Sequence, residues 1–204
     1  MDAELASLVS DIAIIVSAVV VAIVGGIGLR TWRRAMTGKA KFDVARNVML
    51  LGFKLKADFE WVRNPFTRSW ESADRPRQEN ETPGESSVLN EWYAKGRRLQ
   101  PLVENLQKFQ ELSWEAETLL SENSGRCVSE VLAVYRHSYA ELASAIESYF
   151  DIRRQGAVTG IPYKDQDWLK GLHKEIYSAK DDDFFKRIDE ATKQLAPALK
   201  AYVK

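Results

Sequence analysis

The chain has little from which to build a conventional reactive centre. Of its 204 residues one is a cysteine, Cys127, and two are histidines, His137 and His173. A lone cysteine excludes an intramolecular disulfide and suits a reducing compartment. A helical di-iron site needs Glu three residues before each His, and Val134 and Lys170 hold those places. His137 and Glu141 stand four apart, but two ligands fall short of a tetrahedral or facial metal set. Cys127 lies where a helix is expected to start, which favours a thiolate, yet no base accompanies it and packing is its expected role. Period-two alternation is missing, so no strand is expected. No enzyme activity, metal or cofactor is expected from these residues.

Net charge is missing too: 29 basic and 29 acidic residues cancel. The balance hides an asymmetry. Residues 1–11 carry −3, residues 30–56 carry +7 and residues 57–204 carry −4. A mildly acidic distal part argues against a nucleic-acid face.

What is present is one long apolar run, Ile12–Leu29, followed by Arg30, Trp32, Arg33 and Arg34. Eighteen helical residues span about 27 Å, close to the hydrocarbon thickness of a bilayer. The run is apolar on every face, unlike an amphipathic core helix. Its preceding flank is acidic (Asp2, Glu4), unlike a secretory signal. Gly25-Gly26-Ile27-Gly28 falls inside it, which excludes a phosphate-binding loop. Lys and Arg near a spanning end stay on the cytoplasmic side. The expectation is a short extracytoplasmic N-terminus (1–11), a transmembrane helix (12–29), a basic juxtamembrane segment (30–40) and a cytoplasmic helical domain (41–204). Arg30, Trp32, Arg33, Arg34, Lys39 and Lys41 are the expected contacts with anionic headgroups. Ala18, Ala22 and Gly26 line one face at a spacing of four, which fits either a self-association face or the general abundance of small residues in spanning helices.

Thr37-Gly38-Lys39 is expected to interrupt the helix leaving the bilayer. From Lys41, the residues Phe42, Ala45, Val48, Gly52, Leu55, Phe59 and Val62 form one stripe, ended by Asn64-Pro65. Residues 64–86 read as a long polar loop with low order. Phe66 and Trp70 are its large apolar residues. They offer a docking point for a partner or the membrane surface, but isolated aromatics more often serve packing, so both are expected to fold back onto the domain.

Thr82-Pro83-Gly84-Glu85 matches a capping box, with a regular helix from Pro83 or Ser87 to about Asn123. Its expected stripe is Leu89, Trp92, Gly96, Leu99, Val103 and Leu106, continuing through Phe109, Leu112, Ala116 and Leu119, with a kink near Arg97–Pro101. Glu91/Lys95 and Glu104/Lys108 read as surface pairs. Ser124-Gly125 is the expected stop before an antiparallel partner helix over Arg126–Arg154, with Val128, Val131, Tyr135, Tyr139, Leu142, Ile146 and Tyr149 inward. Asp165 and Asp181-Asp182-Asp183 cap two shorter helices, the last frayed or kinked by Pro197. The fold class is all-α, with one N-terminal transmembrane helix followed by an antiparallel cytoplasmic bundle of four to five helices.

The stretch Thr31–Phe66 resembles the juxtamembrane block of uncharacterised bacterial single-pass membrane proteins. The similar elements are a Trp and basic residues leaving the bilayer, a Gly-Lys step, Ala45-Arg46, and Val62-Arg63-Asn64-Pro65-Phe66. The resemblance implies a bacterial inner-membrane protein and brings no activity or site residues. Two function classes fit. One is a membrane-anchored interaction or scaffolding module that positions a cytoplasmic protein. The other is a membrane-active effector whose spanning helices oligomerise and perturb the bilayer, although no ionisable residue follows Asp11 within the run.

Overall fold

The computed structural model describes the backbone of residues 2–177 and 182–203, and within these the side chains from residue 17 onward. The described residues form five helices and no strand. These are α1 (Asp2–Arg63), α2 (Pro83–Leu119), α3 (Glu122–Thr159), α4 (Gln166–Tyr177) and α5 (Asp183–Leu199), with a short 3₁₀ turn at Ser69–Ser72. The chain divides into two compact units, Met1–Asp43 and Val44–Lys204, and α1 contributes to both.

In the first unit, the side chains from Ser17 to Lys39 are exposed. The expected break at Thr37-Gly38-Lys39 does not occur. Thr37 Oγ1 donates to Arg33 O at 2.9 Å, keeping the residue's hydroxyl inside the helical pattern, and helix runs through Gly38. Among the described residues no helix is long and apolar enough to cross a membrane. Residues 12–16 of the apolar run lie outside the described side chains, and eighteen residues counted from Ser17 already take in Arg30, Arg33 and Arg34.

The second unit is an antiparallel helical bundle whose register can be read from its cross-helix contacts. Asp58 accepts from Asn105 Nδ2 at 2.6 Å, and Lys95 Nζ reaches Val62 O at 2.6 Å, so residues 44–63 of α1 run against α2. Ser113 meets Ser129, Gln110 meets Arg136 and Glu91 meets Arg153, which sets α2 antiparallel to α3. Tyr135 with Thr192, and Ser124 with Ala198 O, set α3 antiparallel to α5.

The core sits between these helices. Phe59, Phe109 and Tyr135 are fully buried, with Phe109 edge-on to Tyr135 at 5.5 Å between ring centres. Each such side chain contributes about 1.5–3 kcal/mol by leaving water. The expected α1 stripe is buried from Ala45 to Val62, but Phe42 is exposed. On α3 the expected residues are buried apart from Tyr139, which is half-buried.

Helix ends follow their capping residues. Thr82 Oγ1 accepts from Glu85 N at 3.2 Å, so α2 starts at Pro83. It runs through Pro101 and ends at Leu119, because Ser121 caps the next helix. Ser124-Gly125 therefore lies inside α3 rather than forming a stop. Gly125 is there for closeness: a Cβ would come within 2.9 Å of Glu117 Cα on α2. The stop of α3 is Gly160, at φ 69° in the left-handed region. Asp165 Oδ1 accepts from Trp168 N at 2.9 Å, and Asp182 Oδ1 from Phe185 N at 2.8 Å. Helix α5 continues through Pro197 to Leu199. Asp181 of the triple-Asp run lies outside the described residues.

Candidate interaction surface

Pro65 ends α1 and leaves the carbonyls of its last turn without intrahelical partners. Two cations from α2 take them. Lys95 Nζ donates to Val62 O and to Asn64 O, at 2.6 and 3.0 Å. Arg98 Nη1 donates to Asn64 O at 2.8 Å. Positive charge at a helix C-terminus also complements its dipole. Both side chains are buried, Lys95 fully. Lys95 is thus no surface partner of Glu91; its ammonium stands 4.2 Å over the Tyr177 ring, and burial pulls its pKa down to about 7.

Arg98 carries the link onward into the loop. Its Nη2 donates to Phe66 O at 2.6 Å, and its Nε and Nη2 grip Glu71 at 2.5 and 2.8 Å. Both partners are 2% exposed at the side chain. The Arg98 hydrogen bonds hold the Glu71 carboxyl below its usual range, against the effect of burial. Glu71 also accepts from Arg68 N at 2.9 Å, and Asn64 Oδ1 from Phe66 N at 2.9 Å. Further along, Arg75 binds Glu81 with two nitrogens (2.9 and 2.5 Å) and Asn90 at 2.8 Å, holding the Glu81 pKa at about 2. Arg97 meets Asp74 at 2.6 Å. The segment expected to be a low-order loop is pinned at every few residues.

The pinned backbone turns its aromatics outward. Phe66 is 80% exposed and Trp70 55%, so neither folds back onto the domain as expected. A groove of about 490 Å³ along α2 is lined by Arg75, Trp92, Tyr93, Gly96 and Arg97. The half-buried Trp92 and the exposed Gly96 belong to the face expected to be core. The buried residues of α2 include Leu106, Phe109 and Ala116 of the expected stripe, and also Glu85, Val88, Ala94, Lys95, Arg98, Leu102, Asn105 and Ser113, with Trp92, Leu99, Leu112 and Leu119 half-buried against the core. Counting apolar residues misses the buried face in the first half of the helix, because Lys95 and Arg98 occupy it there. Nothing in the local sequence marks Lys95 and Arg98, since cations at helical spacing ordinarily read as solvated.

A second set of contacts lies next to the first. Arg63 donates to Glu175 O at 2.7 Å and binds the Asp182 carboxylate, tying the end of α1 to the end of α4 and the start of α5. Glu91 accepts from Tyr177 Oη and from Arg153, each at 2.6 Å, and burial pushes the Tyr177 phenol well above its usual pKa.

The remaining sequence-derived residues do not converge on chemistry. His137 Nε2 lies 3.2 Å from Glu141, which Arg187 also binds. Cys127 Sγ donates to Gln194 O at 3.7 Å and burial raises its pKa, the opposite of an activated thiol. Among the described residues no three His, Cys, Asp or Glu side chains gather as a metal site. Glu104 accepts from Gln100 at 3.2 Å rather than from Lys108. In the first unit Arg30, Trp32, Arg33, Arg34 and Lys39 are exposed and Lys41 is half-buried. Ala18, Ala22 and Gly26 are exposed, with open space around Gly26.

No protein-family model, curated protein or solved structure matches this chain.

Proposed function

We propose that the chain is a membrane-anchored helical interaction module, holding a cytoplasmic partner at a bacterial inner membrane. The observation that carries the reading is the first unit's uncovered apolar surface. Val19, Val20, Val21, Ile23, Val24, Ile27 and Leu29 are each at least half exposed and belong to the uncharged run Ile12–Leu29. Leaving such side chains in water forgoes about 1.5–3 kcal/mol apiece, and lipid is the medium that suits a helix apolar on all sides. Arg30, Arg33, Arg34 and Lys39 then meet anionic headgroups, each contributing about 1 kcal/mol, with Trp32 at headgroup level. The bundle supports the second half of the reading: its buried cations Lys95 and Arg98 anchor a helix end and a loop, and its exposed residues include the aromatics Phe66 and Trp70 on that anchored backbone.

The charge asymmetry puts residue 1 outside and residue 204 in the cytoplasm. A C-terminal fusion to a phosphatase that works only when exported tests this. Background phosphatase activity is expected; high activity would reverse the orientation and remove the cytoplasmic partner.

A further inference from the structure

We infer that the tip Phe66–Trp70 is the docking point for a protein partner that presents an apolar groove bearing carboxylates. The inference rests on the reading that the bundle acts through its surface, and names which surface and what chemistry it takes.

The tip is built to hold one shape. Between residues 64 and 71 the backbone is fixed by Lys95 and Arg98 at Asn64 O, by Arg98 at Phe66 O, and by Glu71 at Arg68 N. The anchor is a buried ion pair, an arrangement whose desolvation commonly offsets its Coulombic gain. Apolar residues at 71 and 98 would fill the same space without that cost, but would take the partners from the Phe66 carbonyl and the Arg68 N–H. What the pair secures is conformation, and the conformation keeps Phe66 and Trp70 in solvent.

Charge gives the occupant's character. Glu71, the acidic residue nearest the tip in sequence, is buried and taken up by Arg98. Arg68, exposed, lies between the two aromatics in sequence, with its guanidinium 5.9 Å from the centre of the Trp61 ring. The tip therefore reads apolar, cationic, apolar. Its complement is a carboxylate between two apolar pockets. Fixed spacing favours a protein over a bilayer, because a fluid interface accepts aromatics at any spacing, whereas anchor residues in a protein pocket gain from being held in place beforehand.

The test uses the full chain in nanodiscs, panned against phage-displayed random 12-residue peptides. Enriched peptides are expected to place Asp or Glu beside apolar residues, and to bind Phe66→Ser and Trp70→Ser variants about tenfold or more weakly. Arg68→Glu is expected to select basic peptides instead. Phe66, Arg68 and Trp70 are exposed, so these substitutions leave the core intact. Enriched peptides without acidic bias, or bound equally by the serine variants, would overturn the inference. Peptides bound elsewhere on the bundle would overturn it too, while leaving the interaction reading standing. Trp70-dependent capture of added phosphatidylglycerol vesicles, with no Trp70-dependent peptide, would reassign the tip to a lipid surface. Failure of the anchoring reading shows separately, as loss of the unaltered chain from membranes.

Discussion

Lys95 is the residue where charge, burial and helix geometry meet. Its ammonium is enclosed among carbonyls at the end of α1, with a pKa lowered to about 7 from the ordinary 10.5. The consequence for stability has a definite sign. Between these values the unfolded chain holds one proton more at this position than the folded chain, so folding becomes more favourable as pH rises. Below about pH 7 both states are protonated and the dependence vanishes. Cys127 acts in the opposite sense above its ordinary value of 9.0, because its folded pKa is raised. The urea midpoint of the bundle is therefore expected to rise from pH 7 to 9, and the rise to disappear in Lys95→Met. An unchanged slope in that variant would show that Lys95 is not the group responsible. None of this was legible in the sequence, where Glu91 and Lys95 have the spacing of a surface pair. What removed Lys95 from the surface was a tertiary demand, the unpaired carbonyls of Val62 and Asn64, which appears only once α1 and α2 are packed.

At the scale of the elements, local signals read well where a capping side chain acts on its own backbone. Thr82, Asp165 and Asp182 each accept a backbone N–H as their sequence context implies. The α3 stripe was legible because it is apolar, and α1 from Ala45 onward for the same reason. The α2 stripe was legible in its second half, where Leu106, Phe109 and Ala116 are buried, but not in its first half, where Lys95 and Arg98 occupy the buried face. Glycine was misread at Gly125, where the need is close approach and not a turn. Gly125→Ala would drive a methyl against the Glu117 backbone, which cannot rotate aside. A loss of about 1–3 kcal/mol is expected from overpacking, read as a lowered thermal midpoint. A neutral or raised midpoint would mean that α2 and α3 separate easily there. In the first unit, Ala18, Ala22 and Gly26 make a different demand. If that face joins two copies in lipid, Ala22→Leu and Gly26→Leu are expected to reduce the signal of a spanning-segment dimerisation reporter, while Val20→Leu leaves it unchanged. Equal signals from all three would assign any oligomer to the bundle.

For the whole molecule, the all-α class and the antiparallel bundle were legible because hydrophobic period and loop length determine them locally. The order of residues 64–82 was not. Composition there is polar and proline-rich, and the stabilising partners, Arg98, Asn90 and Arg97, come from another helix. The outward placement of Phe66 and Trp70 follows from that anchoring. The proposed function rests, in the sequence, on the contrast between an uncharged run and the basic residues after it. The account stands on that run lying in lipid, and alkaline carbonate extraction of native membranes tests it most directly. The full chain is expected to remain in the pellet after extraction, and a variant with Val20→Arg and Val24→Arg to be released, since each charge at mid-span costs about 2.5–3.5 kcal/mol on insertion scales. Release of the unaltered chain into the carbonate supernatant would contradict the account.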